Sequence, residues 1–86
     1  YIYEVIRDRK ENPQEGSYTN YLIQKGIDKI LKKVGEECTE VVIATKNKDR
    51  EELIFEIADL LFHLSVLMME SYVTWEDIYE ELRKRK

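Results

Sequence analysis

The 86-residue chain has one cysteine, Cys38, one proline and one histidine, and it contains no long apolar run. A lone thiol cannot form a disulfide within the chain and is typical of a reducing compartment, so we expect a cytoplasmic protein. No stretch approaches the roughly 20 apolar residues that a membrane-spanning helix requires, and no signal-peptide pattern opens the chain. We therefore expect no membrane association.

Positive charge is also scarce. The chain has 14 lysines and arginines against 18 aspartates and glutamates, which gives a net charge of −4. This balance argues against a nucleic-acid partner bound through bulk charge. Neither a P-loop nor a dinucleotide-binding glycine fingerprint is present, so a phosphate ligand would have to be held by a metal ion and side chains. A charged fraction of 37% beside 43% hydrophobic residues suits a protein of amphipathic helices.

The length predicts a single domain over residues 1–86. A chain of this size buries only about 60–65% of the surface that its unfolded form exposes, so its stability depends on help from elsewhere. The first residue is tyrosine rather than methionine. We therefore expect a segment upstream, either a few disordered residues or a whole fused domain.

Hydrophobic periodicity predicts about four helices, over residues 1–9, 18 to 45 or 46, 50–72 and 75–84. The only proline lies in the loop of residues 11–17, and residues 47–49 form a bend. Candidate N-terminal caps precede the later helices: Ser17 or Thr19, then Asp49 with Glu52, and finally Thr74 with Asp77. Gly35 inside the second predicted helix is expected to mark the close approach of another backbone or a ligand.

The third predicted helix has unusual proportions. Its polar residues fall within about 60° of one another on a helical wheel, and nearly every other residue from 53 to 69 is apolar or small. Short flanking helices of one chain can hardly cover such a helix. We therefore predict an all-α, antiparallel helical bundle completed by homo-oligomerisation, most simply as a dimer.

Carboxylates form a pattern on the second and third predicted helices. Side chains three or four residues apart share a helix face, and this spacing groups Glu36, Glu37 and Glu40 on one helix and Glu56 and Asp59 on the next. If the helices fold back on each other, the two groups converge and repel unless a cation neutralises them. Hard oxygen ligands suit Mg²⁺ or Mn²⁺. The alternative is that each acid is solvated and makes surface ion pairs, such as Lys33 with Glu37.

Other reactive side chains have simpler interpretations. His63 lies one turn after Asp59 and could bind a metal, but we expect it to be packed or hydrogen-bonded to a carboxylate behind the metal ligands. Leu60 occupies the position three before His63, so the Glu-x-x-His motif of di-iron bundles is absent. Cys38 is expected in the core. Three aromatic residues could stack on a base but are expected to pack: Tyr18, Tyr21 and Trp75.

The motif Glu-Glu-x-x-Glu at residues 36–40, followed by Glu-x-x-Asp at 56–59, resembles the signature of the all-α, MazG-like nucleotide pyrophosphohydrolases. Within that superfamily the chain is similar to the phosphoribosyl-ATP pyrophosphatase family of histidine biosynthesis. Several segments carry this similarity, which spans about residue 17 to the C-terminus: Ser-Tyr-Thr at 17–19, Lys-Gly at 25–26, Lys-Lys-Val-Gly-Glu-Glu at 32–37, Val-Ile-Ala at 42–44 and Ala-Asp-Leu-Leu-Phe-His-Leu at 58–64.

The resemblance implies Mg²⁺-dependent hydrolysis of phosphoribosyl-ATP to phosphoribosyl-AMP and pyrophosphate. It assigns one or two metal ions to four carboxylates, Glu37, Glu40, Glu56 and Asp59. Glu36 would complete the metal shell or orient the attacking water, and Glu37 and Glu36 are the predicted catalytic pair. The predicted phosphate-binding residues are Lys29, Lys32 and Lys33.

Two alternatives remain open. The same carboxylates could serve a pyrophosphohydrolase for another nucleotide: a housekeeping NTP pyrophosphohydrolase, or one specific for dUTP or dCTP. The acids act on the phosphates and not on the base, so they do not distinguish these enzymes. A helical dimerisation module with merely solvated acids would lack catalysis altogether. Such chains can also be fused to phosphoribosyl-AMP cyclohydrolase, the next enzyme of the pathway, which is one form that the missing upstream segment could take.

Overall fold

A computed structural model describes residues 2–86, and within that range every regular element is a helix. The five helices are α1 (Ile2–Glu11), α2 (Tyr18–Lys25), α3 (Ile27–Lys46), α4 (Arg50–Glu70) and α5 (Trp75–Lys84). The predicted all-α bundle is confirmed. The expectation that the first helix starts at residue 1 lies outside the described residues.

The second predicted helix is divided at Gly26, which is why the chain has five helices rather than about four. Gly26 has φ 94° and ψ −179°, a backbone conformation open essentially to glycine alone. Its N–H donates to the carbonyl of Leu22, and its own carbonyl accepts from the N–H of Ile30. One residue therefore closes α2 and opens α3, and the chain changes direction there.

The predicted caps are present. Ser17 Oγ accepts a hydrogen bond from the N–H of Asn20 at the start of α2, and Asp49 Oδ1 accepts from the N–H of Glu52 at the start of α4. A full capping box opens α5, since the side chain of Thr74 and that of Asp77 each accept from the other's backbone N–H. Helix α4 ends at Glu70, two residues earlier than predicted.

The core lies where the first four helices meet. It contains Ile6, Leu22, Ile30, Val66 and Met69, all buried. Helices α3 and α4 fold back on each other across the turn of residues 47–49. Their contact is the most extensive between any two helices of the described chain. Helix α5 has no buried residue, and a hydrogen bond of 2.9 Å from the indole N–H of Trp75 to Ser65 Oγ attaches it to α4.

The buried face of α3 differs from the apolar row that the sequence favours. Its buried residues lie seven apart, at Ile30, Glu37 and Ala44. Cys38 lies off this face and is exposed, so its predicted core position is wrong. Within residues 2–86 no atom outside the helix backbone lies within 4 Å of the point where a Cβ on Gly35 would stand, so the predicted close approach does not occur inside the chain.

An exposed apolar face remains on α3 and α4. Its α3 stripe has helical spacing and comprises Leu31, Gly35, Cys38 and Val42; its α4 stripe comprises Ile54, Ile57, Ala58 and Leu61. The N-terminal half of α4 is thus uncovered on this side by the rest of the described chain, whereas Ser65 and Met68, on the same side nearer its C-terminus, are buried. No helix within residues 2–86 combines the length and the apolar character needed to cross a bilayer.

Candidate active site

The polar stripe of α4 faces α3, and carboxylates from both helices meet there. Glu37 and Glu56 are buried, with 5% and 6% of their surfaces exposed. Between them opens a cleft of about 240 Å³, lined by Lys33, Glu36, Glu37, Glu40, Phe55, Glu56 and Asp59. All five carboxylates grouped by helical spacing therefore lie at one cleft.

The innermost part of this cluster has the dimensions of a cation site. Carboxylate oxygens of Glu37 and Asp59 and a ring nitrogen of His63 all lie within 4.8 Å of one another. Two acids this close repel unless a positive charge stands between them. The donor set of carboxylate oxygens, extended by Glu40 and Glu56 at the cleft wall, fits Mg²⁺ or Mn²⁺.

Glu56 carries the clearest electrostatic signature. Hydrogen bonding of its protonated carboxyl group to Glu52, the loss of water around it, and the neighbouring Glu37 together raise the pKa of Glu56 to about 7. Glu56 is therefore partly protonated at neutral pH in the metal-free protein. A cation bound among these acids would favour its ionised form.

The pKa of Glu56 predicts a pH effect on the metal-free protein. An ordinary glutamate titrates near 4.5, so between pH 4.5 and 7 the folded state holds a proton that the unfolded state has lost. The stabilisation from that proton is complete below pH 4.5 and disappears as the pH rises through 7. We expect wild type to lose thermal stability relative to Glu56→Gln between pH 5 and pH 8, in melts recorded with EDTA. A pH-independent difference between the two proteins would contradict the assignment.

Lys33 is the basic residue at the cleft. Its Nζ lies 3.7 Å from Glu36 Oε1 and 3.8 Å from Glu37 Oε1. Partial burial disfavours its charge, but Tyr18 and the acids around it prevail and raise the pKa of Lys33. The other predicted phosphate ligands, Lys29 and Lys32, are not among the residues that line the cleft. The structure thus brings only one of the three lysines to the carboxylates.

His63 is buried and is held by two hydrogen bonds. Its Nδ1 lies 2.9 Å from the backbone carbonyl of Asp59, which can only accept, so Nδ1 carries the proton. Its Nε2 lies 2.9 Å from the hydroxyl of Tyr18, which then donates to it. Both nitrogens have partners, an arrangement that matches a supporting position behind the carboxylates; the role itself stays a prediction.

Tyr18 is the site residue that the sequence interpretation missed. Partial burial raises the pKa of its hydroxyl; Lys33 opposes this shift, and Asp59 and Glu37 reinforce it. Tyr18 thus belongs to the same electrostatic cluster, 45 residues before its partner His63. The Ser-Tyr-Thr segment at 17–19 had contributed to the family resemblance but gave no sign of this contact. Glu52 lies on the predicted polar stripe with Glu56, but its hydrogen bond to Glu56 was not predicted.

The family model described as phosphoribosyl-ATP pyrophosphohydrolase matches residues 1–86. The chain belongs to this family. It is 60% identical over 85 residues to the phosphoribosyl-ATP pyrophosphatase of Clostridium novyi, covering 99% of this chain and 77% of that protein. It is 59% identical over 85 residues to the phosphoribosyl-ATP pyrophosphatase of Limosilactobacillus fermentum, covering 99% of this chain and 80% of that protein.

Family members also occur within longer proteins. The chain is 62% identical over 84 residues to the histidine biosynthesis bifunctional protein HisIE of Caldanaerobacter subterraneus subsp. tengcongensis, covering 98% of this chain and 41% of that protein. The chain therefore spans less than half of this bifunctional relative and most of the two pyrophosphatases above. Family membership agrees with the predicted resemblance, and the carboxylate cleft lies within the matched region.

Proposed function

We propose that this chain hydrolyses phosphoribosyl-ATP to phosphoribosyl-AMP and pyrophosphate, the second step of histidine biosynthesis. The observation that carries the proposal is the meeting of acids from α3 and α4 in one partly buried cleft. Membership of the phosphoribosyl-ATP pyrophosphohydrolase family indicates which substrate to propose. A solvated-acid dimerisation module has no use for buried carboxylates such as Glu37 and Glu56, because burying them unpaired is costly.

We assign Mg²⁺ to the cleft, with Mn²⁺ as a substitute. Glu37, Glu40, Glu56 and Asp59 would hold one or two ions, since they provide several hard oxygen ligands and Lys33 alone offsets only part of their mutual repulsion. When bound, the metal supplies the positive charge that neutralises triphosphate oxygens during an in-line displacement.

The remaining residues of the cleft have complementary tasks. Lys33 pairs with phosphate oxygens and is free to do so, because its contacts with Glu36 and Glu37 are loose. Glu36, whose side chain is half exposed, accepts the proton of the water that attacks the triphosphate as the bond between the α and β phosphates breaks. His63, held by the hydroxyl of Tyr18, packs behind Asp59 and donates its Nδ1–H to the backbone carbonyl of that residue.

We further propose a homodimer that packs through the exposed apolar face of α3 and α4. The α4 stripe approaches the cleft through Phe55, an exposed residue that follows Ile54 in the chain and lines the cleft beside Glu56. A second copy would cover α4 and supply the burial that a short chain lacks. The nucleotide substrate and the lone thiol of Cys38 suit the cytoplasm.

The decisive experiment is a substrate panel with pyrophosphate release as the readout. The protein is incubated with Mg²⁺ and, separately, phosphoribosyl-ATP, ATP, dUTP or dCTP. We expect turnover of phosphoribosyl-ATP to exceed that of every other nucleotide and to stop with EDTA. Preferential turnover of dUTP or dCTP would establish the alternative pyrophosphohydrolase. Absence of turnover, with no Mg²⁺-dependent rise in thermal stability, would indicate the non-catalytic module.

A further inference from the structure

A second cavity lies beside Tyr18. It measures about 820 Å³, between the loop of residues 12–17 and α2. Most of its surface is apolar, from residues that include Pro13, Tyr18, Tyr21 and Ile23, and polar or charged side chains complete the lining, Lys10 and Glu15 among them. A pocket of this kind, largely apolar with a few polar groups, is typical of a small-molecule site.

Aromatic rings form one wall of this cavity. Tyr18 stacks on Tyr21 with ring centroids 6.0 Å apart and on Phe62 at the same centroid distance. Tyr18 and Tyr21 nonetheless remain 45% and 41% exposed. The two tyrosines are therefore only partly used in packing, and their exposed ring surface is available to a flat ligand.

A short chain of contacts connects the cavity to the carboxylate cleft. Tyr18 lines the cavity, and its hydroxyl is hydrogen-bonded to His63, which in turn contacts the backbone carbonyl of Asp59. Tyr18 also interacts electrostatically with Lys33, Asp59 and Glu37 at the cleft, so the aromatic wall of the cavity and the carboxylates belong to one contact network.

A cation also lies beside the rings. Lys25 Nζ is 5.7 Å from the centroid of the Tyr21 ring. Lys25 is exposed, and no carboxylate within residues 2–86 lies at ion-pairing distance from it. Lys25 does not line the cavity itself, but its contact with Tyr21 places a positive charge beside the aromatic wall, which complements a ligand that is both flat and anionic.

We propose that this cavity binds the purine and ribose half of the nucleotide, with Tyr21 and Tyr18 as the stacking surface and Lys25 beside them. This inference rests on the proposed function, because the phosphates must lie in the carboxylate cleft for the base to reach Tyr21. Sequence periodicity assigns Tyr21 to packing; its exposure beside a cavity gives it a role in substrate binding instead.

The test compares two probes that separate the cavity from the cleft. AMP binding is measured by calorimetry in EDTA, so that no metal contributes, and inorganic tripolyphosphate binding is measured with Mg²⁺. Tyr21→Ala should weaken AMP binding and raise KM for phosphoribosyl-ATP about tenfold, with kcat within about twofold. Tyr21→Phe should retain both values because it keeps the ring. Tyr79→Ala, which removes an exposed tyrosine from α5, is the matched control and should leave both values at those of wild type.

Each result has one meaning. Unchanged AMP affinity and KM in Tyr21→Ala would overturn the proposal, and so would a loss of dimer in that variant, since a second subunit would then cover the rings. Tripolyphosphate binding should be unaffected by Tyr21→Ala and lost in Asp59→Asn. If tripolyphosphate fails to bind wild type, the proposed role of the cleft fails independently of the AMP result.

Discussion

Glu37→Gln is expected to lower kcat for phosphoribosyl-ATP by more than about 100-fold. Residues that merely support metal ligands typically contribute 10- to 100-fold, so the loss of a buried carboxylate at the centre of the cluster should exceed that range. Glu37 is 5% exposed, lines the cleft and lies within reach of Asp59 and His63. The glutamine keeps the shape of the side chain and removes only its charge.

The same substitution should not destabilise the metal-free fold. Replacing a buried carboxylate among other acids removes repulsion, and the ion pair it loses, with Lys33 at 3.8 Å, is a weak one. We therefore expect unchanged helicity by circular dichroism, and a thermal midpoint in EDTA equal to or above that of wild type. Mg²⁺ should stabilise wild type and fail to stabilise the variant.

Asp59→Asn should reproduce this pattern, because Asp59 approaches the same point from α4. Glu51→Gln is the matched control, since Glu51 is an exposed acid in the first turn of the same helix. Its kcat should stay within about twofold of wild type. Full activity in Glu37→Gln, or an equal loss in all three variants, would refute the metal-site assignment.

The acid cleft was predictable because helical periodicity is a strong local signal. A stripe too narrow to be a free surface placed Glu56 and Asp59 against a neighbouring element, and a three-residue bend left α3 as that neighbour. The position of Tyr18 was not predictable in this way. Its contact with His63 joins residues far apart in sequence, and periodicity contains no information on such pairs.

Two errors have identifiable physical causes. Gly26 and Gly35 carry the same helix penalty in propensity, yet only Gly26 adopts a positive φ and divides the helix. The row containing Leu31, Cys38 and Val42 is the most apolar side of α3, which suggests a core, but inside the chain this row is exposed. Counting apolar residues does not distinguish burial within a chain from burial between chains.

The exposed apolar face of α3 and α4 leads to a second prediction with a large effect, a loss of self-association when its apolar character is removed. Ile57→Lys is expected to weaken the dimer by at least about 30-fold, because an unpaired charge buried in an interface typically costs 2–5 kcal/mol. In an isolated chain the same substitution should cost little, since Ile57 is already 40% exposed. Sedimentation velocity over a range of protein concentrations measures the shift directly.

Asn47→Lys adds the same charge at the exposed α3–α4 turn and serves as the control. It should sediment like wild type. Because association stabilises the folded state, the thermal midpoint of wild type and of this control should rise with protein concentration. That of Ile57→Lys should be lower and independent of concentration. If wild type sediments as a monomer at every concentration, or if Ile57→Lys leaves the dimer intact, the exposed apolar face of α3 and α4 is not the contact between copies, and some other partner must cover α4.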